Sequence, residues 1–265
     1  MTGPLPCFDV TVDGAGLGRI LVLIPAYNEQ DCIVTTITEV QHAVPDADIL
    51  VVDDASTDAT ARLAAAAGGE NLGLSENVGA GAAMRAGYRL AAAEGYDVAV
   101  RVDADGQHDP RDIPIMLAAL REGADVVIGS RFSGNAGYHV GIARRWAMGR
   151  LRAHVNRRTG LHFTDTTSGY RAVGRPAMEL YAQATDSRFL GDTVQALLTA
   201  VAAGLTVVEV PVAMRARQGG QASIGLLRSA VGFIRMTRAV RRRPLAPGPS
   251  PRSEPISTLP TRMET

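Results

Sequence analysis

Two short apolar stretches of the chain each end in a closely spaced pair of acidic residues. Asp53 and Asp54 end one stretch, and Asp103 and Asp105 end another. Carboxylates that meet at one place repel each other unless a cation or a donor-rich ligand compensates their charge. Carboxylate oxygens suit hard divalent ions, and such ions commonly bridge a pyrophosphate to one or two carboxylates. The pattern therefore indicates a site for a phosphorylated ligand with Mg²⁺ or Mn²⁺ as its cofactor.

A structural alternative exists for part of this pattern. Ser56 and Asp58 lie where a helix is expected to begin, and Ser and Asp are frequent helix N-caps. Capping does not account for Asp103 and Asp105 at a second strand end. The prediction of a metal and phosphate site therefore rests mainly on Asp103 and Asp105.

The elements that position these residues alternate between strands and helices. Short apolar runs predict strands at 20–24, 49–52, around 72–74, 98–102 and 126–128, with helices at 31–44, 58–67, 80–94 and 113–122. This alternation predicts βαβ units in a mostly parallel sheet, with ligands bound beyond the carboxyl ends of the strands. After residue 129 the pattern predicts helices at 144–158, 175–184, 193–203 and 224–243 and a strand at 206–212.

Composition excludes several classes of protein. Lys plus Arg and Asp plus Glu are equal at 27 each among 265 residues, so no overall charge points to nucleic acid. Two cysteines suit a reducing cytosol, and no signal peptide or membrane-spanning run is expected. Residues 210–253 contain nine arginines and no acid, which indicates an anionic partner or a solvated face.

Four segments, taken together, resemble the successive signatures of glycosyltransferase family 2. They are Ile-Pro-Ala-Tyr-Asn-Glu at 24–29, Val-Val-Asp-Asp-Ala-Ser-Thr-Asp at 51–58, Asn-x-Gly-x-Gly at 77–81 and Asp-Ala-Asp-Gly-Gln at 103–107. The resemblance covers roughly residues 19–220. It implies an α/β protein with the Rossmann-like GT-A fold, whose mostly parallel central sheet is flanked by helices. It also implies inverting, metal-dependent transfer from a nucleoside-diphosphate sugar, with UDP or GDP as the nucleotide.

Later segments resemble one branch of that family, the dolichyl-phosphate mannose synthases and polyprenyl-phosphate glycosyltransferases. They lie at 129–132, 144–145, 165–171 and 209–212, with a looser match at 217–223. This resemblance implies that the acceptor is a polyprenyl (dolichyl-type) phosphate.

The resemblance also assigns roles on the donor side. It implies that Pro25, Tyr27, Glu29 and Asp54 hold the base and ribose of the nucleotide. It also implies that the metal at the diphosphate is bound by Asp103, Asp105 and Gln107.

On the acceptor side, the resemblance implies that Arg131 binds the acceptor phosphate. The residues expected to assist it are Arg144, Arg145, Arg217 and Ser223. An ordinary surface ion pair is the alternative for any one of these arginines. A phosphate acceptor is largely anionic at neutral pH and needs little help from a base, whereas a sugar hydroxyl would need one, from Asp192 or Asp165. For Asp165, a turn closed through Thr167 or Ser168 is the favoured role.

Two further residues have a favoured structural role. His108 is expected to shape its loop or to face solvent rather than bind metal, because carboxylates already meet the preference of the metal for oxygen. For Trp146, which follows Arg144 and Arg145, a packing role is favoured over contact with an apolar acceptor.

The expected organisation is a flexible leader at 1–18, a GT-A domain at 19–223, a basic amphipathic helix at 224–243 and a Pro-rich disordered tail at 244–265. The basic helix either lies on an anionic membrane surface or caps the catalytic core. A polyprenyl-phosphate acceptor then predicts a cytoplasmic protein, peripheral at the inner face of the cell membrane or held there by a separate membrane protein.

Three other functions compete with this prediction. The first keeps the fold and the donor but uses a soluble sugar or metabolite as acceptor. The second is a sugar nucleotidyltransferase, although residues 25–29 lack the Gly-rich, basic loop usual after the first strand of such enzymes. The third is a binding module without activity, which the intact pair of Asp103 and Asp105 disfavours. NAD binding is not expected, since no glycine follows the first strand.

Overall fold

The computed structural model describes residues 16–133, 141–184 and 193–217, which form seven strands and seven α-helices around one sheet. The elements are β1 (Ile20–Ala26), α1 (Ile33–Ala43), β2 (Asp48–Asp53), α2 (Thr60–Ala66), β3 (Glu70–Gly73), α3 (Ala80–Ala93), β4 (Val98–Arg101), α4 (Ile113–Arg121), β5 (Val126–Ser130), α5 (Ile142–Thr159), β6 (Arg171–Gly174), α6 (Arg175–Ala182), α7 (Thr193–Ala202) and β7 (Val207–Pro211). A single 3₁₀ turn at Pro110–Asp112 precedes α4.

The strand order across the sheet is β3-β2-β1-β4-β6-β5-β7. Strands β1 to β4 pair in parallel, and so do β5 and β7. Only β6 is antiparallel to its two neighbours, β4 and β5. The expected α/β fold with a mostly parallel sheet is therefore confirmed.

Strand β6 was absent from the sequence-based prediction. Its four residues, Arg-Ala-Val-Gly, contain only two apolar side chains and begin with a charged one, so no apolar run marks them. Since β6 runs against β4, its first residue, Arg171, lies opposite Arg101 at the end of β4. The loop that precedes β6 is thereby brought to the edge of the sheet where the parallel strands end.

Strand β1 continues through Pro25 to Ala26, two residues beyond the strand predicted at 20–24. Pro25 is paired in register with Val52 of β2. Pairing of β1 with β4, on the other side, reaches only Leu23. Ala26 O accepts from the Asp54 N–H on the β2 side, so the nitrogen of Pro25 faces the β4 side beyond the last paired residue. The missing N–H of proline therefore removes no ladder bond.

The helices cover both faces of the sheet, as expected where both faces are apolar. On one face, α1, α2 and α4 pack against alternate β1 residues such as Val22 and Ile24. On the other, α3, α5, α6 and α7 pack around Leu21 and Leu23. In the described residues no helix is long and apolar enough to cross a membrane.

The expected domain boundaries fall largely outside this part of the chain. The basic helix at 224–243 and the tail at 244–265 lie beyond the described residues, as does most of the leader at 1–18.

Candidate functional site

The ends of β1 and β2 are joined by hydrogen bonds between the loops that follow them. Asn28 donates its backbone N–H to Ser56 Oγ at 3.0 Å, and its Oδ1 accepts from the Thr57 N–H at 2.8 Å. Asn28 and Ala55 both have positive φ angles, 54° and 62°. Non-glycine residues in this region are uncommon and often mark a functional turn. The two loops therefore form one rigid wall of the site.

The residues expected to hold the nucleotide lie along this wall. Tyr27 is 43% exposed, so its ring is available to a ligand, and Pro25 is half-buried. Asp54 is buried, and its carboxylate accepts from the backbone N–H groups of Val78 and Gly79, both at 2.8 Å. In the structure Asp54 thus fastens the loop that opens α3 to the end of β2.

Asp103 is held by cationic and aromatic neighbours. Arg101 Nε donates to Asp103 Oδ1 at 2.8 Å, and the Asp103 N–H donates to His108 Nδ1 at 3.0 Å. Burial would raise the pKa of Asp103, but the charge and hydrogen bond of Arg101, together with His108 and Arg217, lower that pKa overall. The His108 ring is buried and stacks on Tyr170 at 4.6 Å between ring centroids, and burial lowers the pKa of His108. Of the two roles expected for His108, the structure agrees with shaping the loop and not with facing solvent.

Glu29, Asp105 and Arg217 form a charged cluster between the ends of β1 and β4. Arg217 Nη2 donates to Glu29 Oε1 at 3.0 Å and lies 3.6 Å from Asp105 Oδ2. The other oxygen of Glu29, Oε2, is buried without a hydrogen-bond partner. Burial raises the pKa of Glu29, and the negative charges of Asp105 and Asp103 raise it further against the opposing effect of Arg217. Two acids thus share one half-buried arginine, which leaves negative charge at the site.

This donor set fits a hard divalent cation. Within residues 16–133, 141–184 and 193–217, no three His, Cys, Asp or Glu side chains are arranged around a common metal position. Mg²⁺ needs less from the protein, because it is usually held by one or two carboxylates together with the phosphates of a substrate. Asp105, with the half-buried Gln107 beside it and the unpaired oxygen of Glu29 nearby, meets that requirement. Asp105 Oδ1 accepts from the Gln107 N–H at 3.0 Å, which fixes the loop.

The segment 213–217 crosses this loop after leaving β7. The Arg215 N–H donates to Gln107 O at 3.0 Å, and the Arg215 guanidinium contacts Glu39 at 2.6 Å and Asp109 at 2.7 Å. From the sequence, Arg215 is expected only to be part of the basic block at 210–253. Arginines at alternate positions after a strand were the only signal for it.

Arg131 is committed to the loop that precedes β6. Its Nε and Nη2 donate to the two oxygens of Asp165 at 2.6 and 2.8 Å, and Nη2 also donates to Thr167 Oγ1 at 2.6 Å. Asp165 accepts from the Thr167 N–H as well, which is the turn expected from the sequence. Burial opposes ionisation, but the bonds from Arg131 lower the pKa of Asp165. Arg131 was expected to face an acceptor phosphate, whereas its guanidinium here holds this loop.

Glu209 on β7 extends this network. Its carboxylate accepts from the backbone N–H groups of Thr164 and Asp165 at 2.6 and 2.7 Å. Burial raises the pKa of Glu209. The loop before β6 is therefore anchored by both β5 and β7.

The other predicted residues are scattered. Arg145 is exposed on α5, whereas the side chain of Arg144 and the whole of Asp192 and Ser223 lie outside the described residues. The packing role favoured for Trp146 does not agree with the structure, because this residue is 66% exposed.

Comparison with known proteins gives a consistent assignment. The family described as glycosyl transferase family 2 matches residues 21–180. An undecaprenyl-phosphate mannosyltransferase of Micrococcus luteus is 36% identical over 232 residues, 83% of this chain and 93% of that protein. A polyprenol monophosphomannose synthase of Mycolicibacterium smegmatis is 36% identical over 220 residues, 76% and 79% of the two chains.

Solved structures agree on the fold. A glucosyl-3-phosphoglycerate synthase of Mycobacterium tuberculosis, in complex with Mn²⁺, UDP and phosphoglyceric acid, superimposes with a TM-score of 0.63 and 23% identity over 86% of this chain and 78% of that one. The same enzyme with Mg²⁺ and UDP gives a TM-score of 0.63 at 23% identity, over 86% and 79% of the chains. The chain is therefore a glycosyltransferase that belongs to glycosyltransferase family 2.

Proposed function

We propose that this protein transfers a sugar from a nucleoside-diphosphate sugar to a polyprenyl phosphate, with inversion at the anomeric carbon and with Mg²⁺ or Mn²⁺. The observation that carries the acceptor is the 36% identity, over most of both chains, to proteins named for undecaprenyl-phosphate and polyprenol mannosyl transfer. The cluster of Glu29, Asp105 and Arg217 supports the donor class, because it sets acids and a guanidinium side by side where a metal diphosphate would bind.

On the donor side, Asp105 and Gln107 would hold the metal, with Asp103 kept ionised beside them by Arg101. When bound there, the metal would supply charge compensation for the departing diphosphate. Tyr27 and Pro25 would contact the nucleotide, and Asp54 would position the loop before α3 around it.

In the transfer itself, an oxygen of the acceptor phosphate attacks the anomeric carbon as the bond to the diphosphate oxygen breaks on the opposite face. The products are a glycosyl phospholipid and the nucleoside diphosphate, which takes the bonding electrons. A phosphate monoester has its second pKa at about 6, so no protein base is needed at neutral pH. Asp192 would be required as a base only for a hydroxyl acceptor.

Arginines would bind the acceptor phosphate, since their planar donors match its oxygens. Arg217 lies at the cluster and is the first candidate, with Arg144, Arg145 and Ser223 as further ones. Arg131 would act on the acceptor through the loop that it holds at Asp165. With a lipid acceptor, the protein would act at the inner face of the cell membrane as a peripheral protein. It would be held there by the 224–243 helix or by a separate membrane protein.

The test is a transfer assay with purified protein. UDP- and GDP-sugars are offered with a detergent-solubilised polyprenyl phosphate or with phosphoglyceric acid, in Mg²⁺, Mn²⁺ or EDTA. We expect a glycolipid product that EDTA abolishes and that Asp105→Asn lowers by at least about 100-fold, as loss of charge stabilisation at a transferring group does. Asp46→Asn, an exposed aspartate away from the site, is the matched control.

Two outcomes would contradict the proposal in different parts. A product formed only with the soluble acceptor would overturn the lipid acceptor and keep the enzyme class. Full activity of Asp105→Asn in EDTA would overturn the metal.

A further inference from the structure

Helix α5 is the most basic element of the described residues. Its 18 residues, Ile142–Thr159, contain six arginines and no acidic residue. Its inner side is buried through Leu151 and Val155, which join the core against α7. Four of the six arginines are exposed on the side of the helix away from the core: Arg145, Arg150, Arg152 and Arg157.

The exposed residues of α5 form an ordered face. Successive residues of a helix are turned by about 100°, so Trp146 and Ala153 share one line along the helix. Arg145 and Arg152, seven residues apart, flank that line on one side, and Arg150 and Arg157, also seven apart, flank it on the other. We call these six exposed residues the α5 outer face: Arg145, Trp146, Arg150, Arg152, Ala153 and Arg157.

Trp146 is a large apolar side chain that lies mostly exposed on this face. At 66% it is the most exposed of the large apolar side chains in the described residues, ahead of Val78 at 44% and Tyr27 at 43%. Its only ring contact among these residues is Arg150, whose guanidinium carbon lies 4.7 Å from the ring centroid. A tryptophan flanked by arginines is the composition of side chains that settle at the boundary between lipid headgroups and acyl chains.

We infer that the α5 outer face docks on the surface of an anionic phospholipid membrane. Trp146 inserts at the headgroup level and the flanking arginines bind lipid phosphates. The charge complementarity is direct, because every charged side chain of the helix is cationic. The inference rests on the proposed function for its lipid acceptor. The charge of α5 and the exposure of Trp146 do not depend on that function.

The same helix is attached to the loop that Arg131 holds. Asn156 Nδ2 donates to Phe163 O at 3.0 Å, and Asn156 Oδ1 accepts from the Phe163 N–H at 3.1 Å. The loop continues to Asp165, the partner of Arg131. A membrane bound at α5 would therefore lie in a fixed relation to this side of the site.

Trp146 is the single tryptophan of the chain, so its fluorescence reports on this face alone. The full chain is mixed with vesicles of phosphatidylcholine, with or without phosphatidylglycerol, some carrying brominated acyl chains. We expect a blue shift and bromine quenching with phosphatidylglycerol vesicles, and neither with pure phosphatidylcholine. Binding of vesicles without any change in Trp146 fluorescence would overturn the inference, because another segment would then be the docking surface. An equal shift with a polyanion such as heparin would also overturn it.

Charge reversal tests the arginines. Arg150→Glu or Arg157→Glu should weaken sedimentation with anionic vesicles by roughly ten-fold, since each basic residue near such a surface contributes several-fold to binding. Arg62→Glu, an exposed arginine on α2, is the matched control and should bind as the wild type does. Equal weakening by all three variants would mean that only net charge matters, against a defined face. Transfer to a detergent-solubilised acceptor, measured on the same variants, reports on the proposed function separately.

Discussion

Arg131 and Asp165 form a buried ion pair at the end of β5, with exposures of 8% and 1%. Replacing Asp165 with Asn keeps the shape and leaves the guanidinium without a counter-charge in the interior. Removal of one partner from a buried pair typically destabilises a protein by about 3–5 kcal/mol. We expect a loss of that order in the free energy of unfolding at neutral pH, measured by urea titration.

The pH dependence gives this prediction its sign. The pKa of Asp165 is lowered in the folded protein, so its stabilising effect is present at neutral pH and is lost as the pH falls through that lowered pKa. The difference between wild type and Asp165→Asn should therefore shrink in acid. A difference that stays constant with pH would show that the charge of Asp165 is not what stabilises the loop.

Asp112 behaves in the opposite way. Burial raises its pKa to about 6, even though its Oδ2 accepts from the Ala213 N–H at 2.7 Å. Between the ordinary aspartate pKa of about 4 and this value, the folded protein keeps a proton that the unfolded chain has released. Stability of the wild type should then fall as the pH rises through that range, and Asp112→Asn should remove the fall. Urea midpoints across the range would check this, and a parallel course for wild type and variant would contradict it.

Strand β5 is packed so closely at Gly129 that an added methyl group would clash with its neighbours. A Cβ at Gly129 would lie 2.9 Å from Val212 Cγ1 and 3.2 Å from Tyr170 Cδ1. Gly129→Ala should destabilise the fold by about 1–3 kcal/mol, as overpacking does. Adding Val212→Ala should recover part of the loss in thermal melts.

Gly149 in α5 provides the contrast, because no atom beyond its chain neighbours and the adjacent backbone of its own helix lies within 4 Å of a Cβ built there. Gly149→Ala should be neutral or stabilising by up to about 1 kcal/mol. Destabilisation by both substitutions would mean that glycine acts through backbone freedom and not through space.

Sequence predicted most of the elements and the loops that carry Glu29, Asp54 and Asp105, because apolar runs and the acids that end them are local signals. It did not predict which side chains pair across the site. Arg131 with Asp165 and Arg217 with Glu29 join segments far apart in the chain, and their meeting depends on where β6 and β7 enter the sheet. With β6 marked by no apolar run, the loop before it could not be placed.

Arg215 connects the last described segment of the chain to α1 and to the loop after β4. The 213–217 segment reaches α1 through Glu39 and the loop after β4 through Asp109. Arg215→Met should leave the core intact and loosen this segment. We expect amide hydrogen exchange at Ala213 and Arg215 to accelerate by at least about ten-fold, since local opening is governed by such ties. Amides of β1 should be unchanged, and Arg62→Met is the control.

Strand β6 has a consequence for the order in which the protein is made. A ribosome completes β4 and β5 before it reaches Arg171, yet β6 lies between those two strands. Until that residue emerges, the first four strands can assemble while β4 presents an open hydrogen-bonding edge, and β5 has no neighbour to join. Open strand edges are sites of association with other chains. A nascent chain halted between β5 and β6 is thus expected to be prone to aggregation.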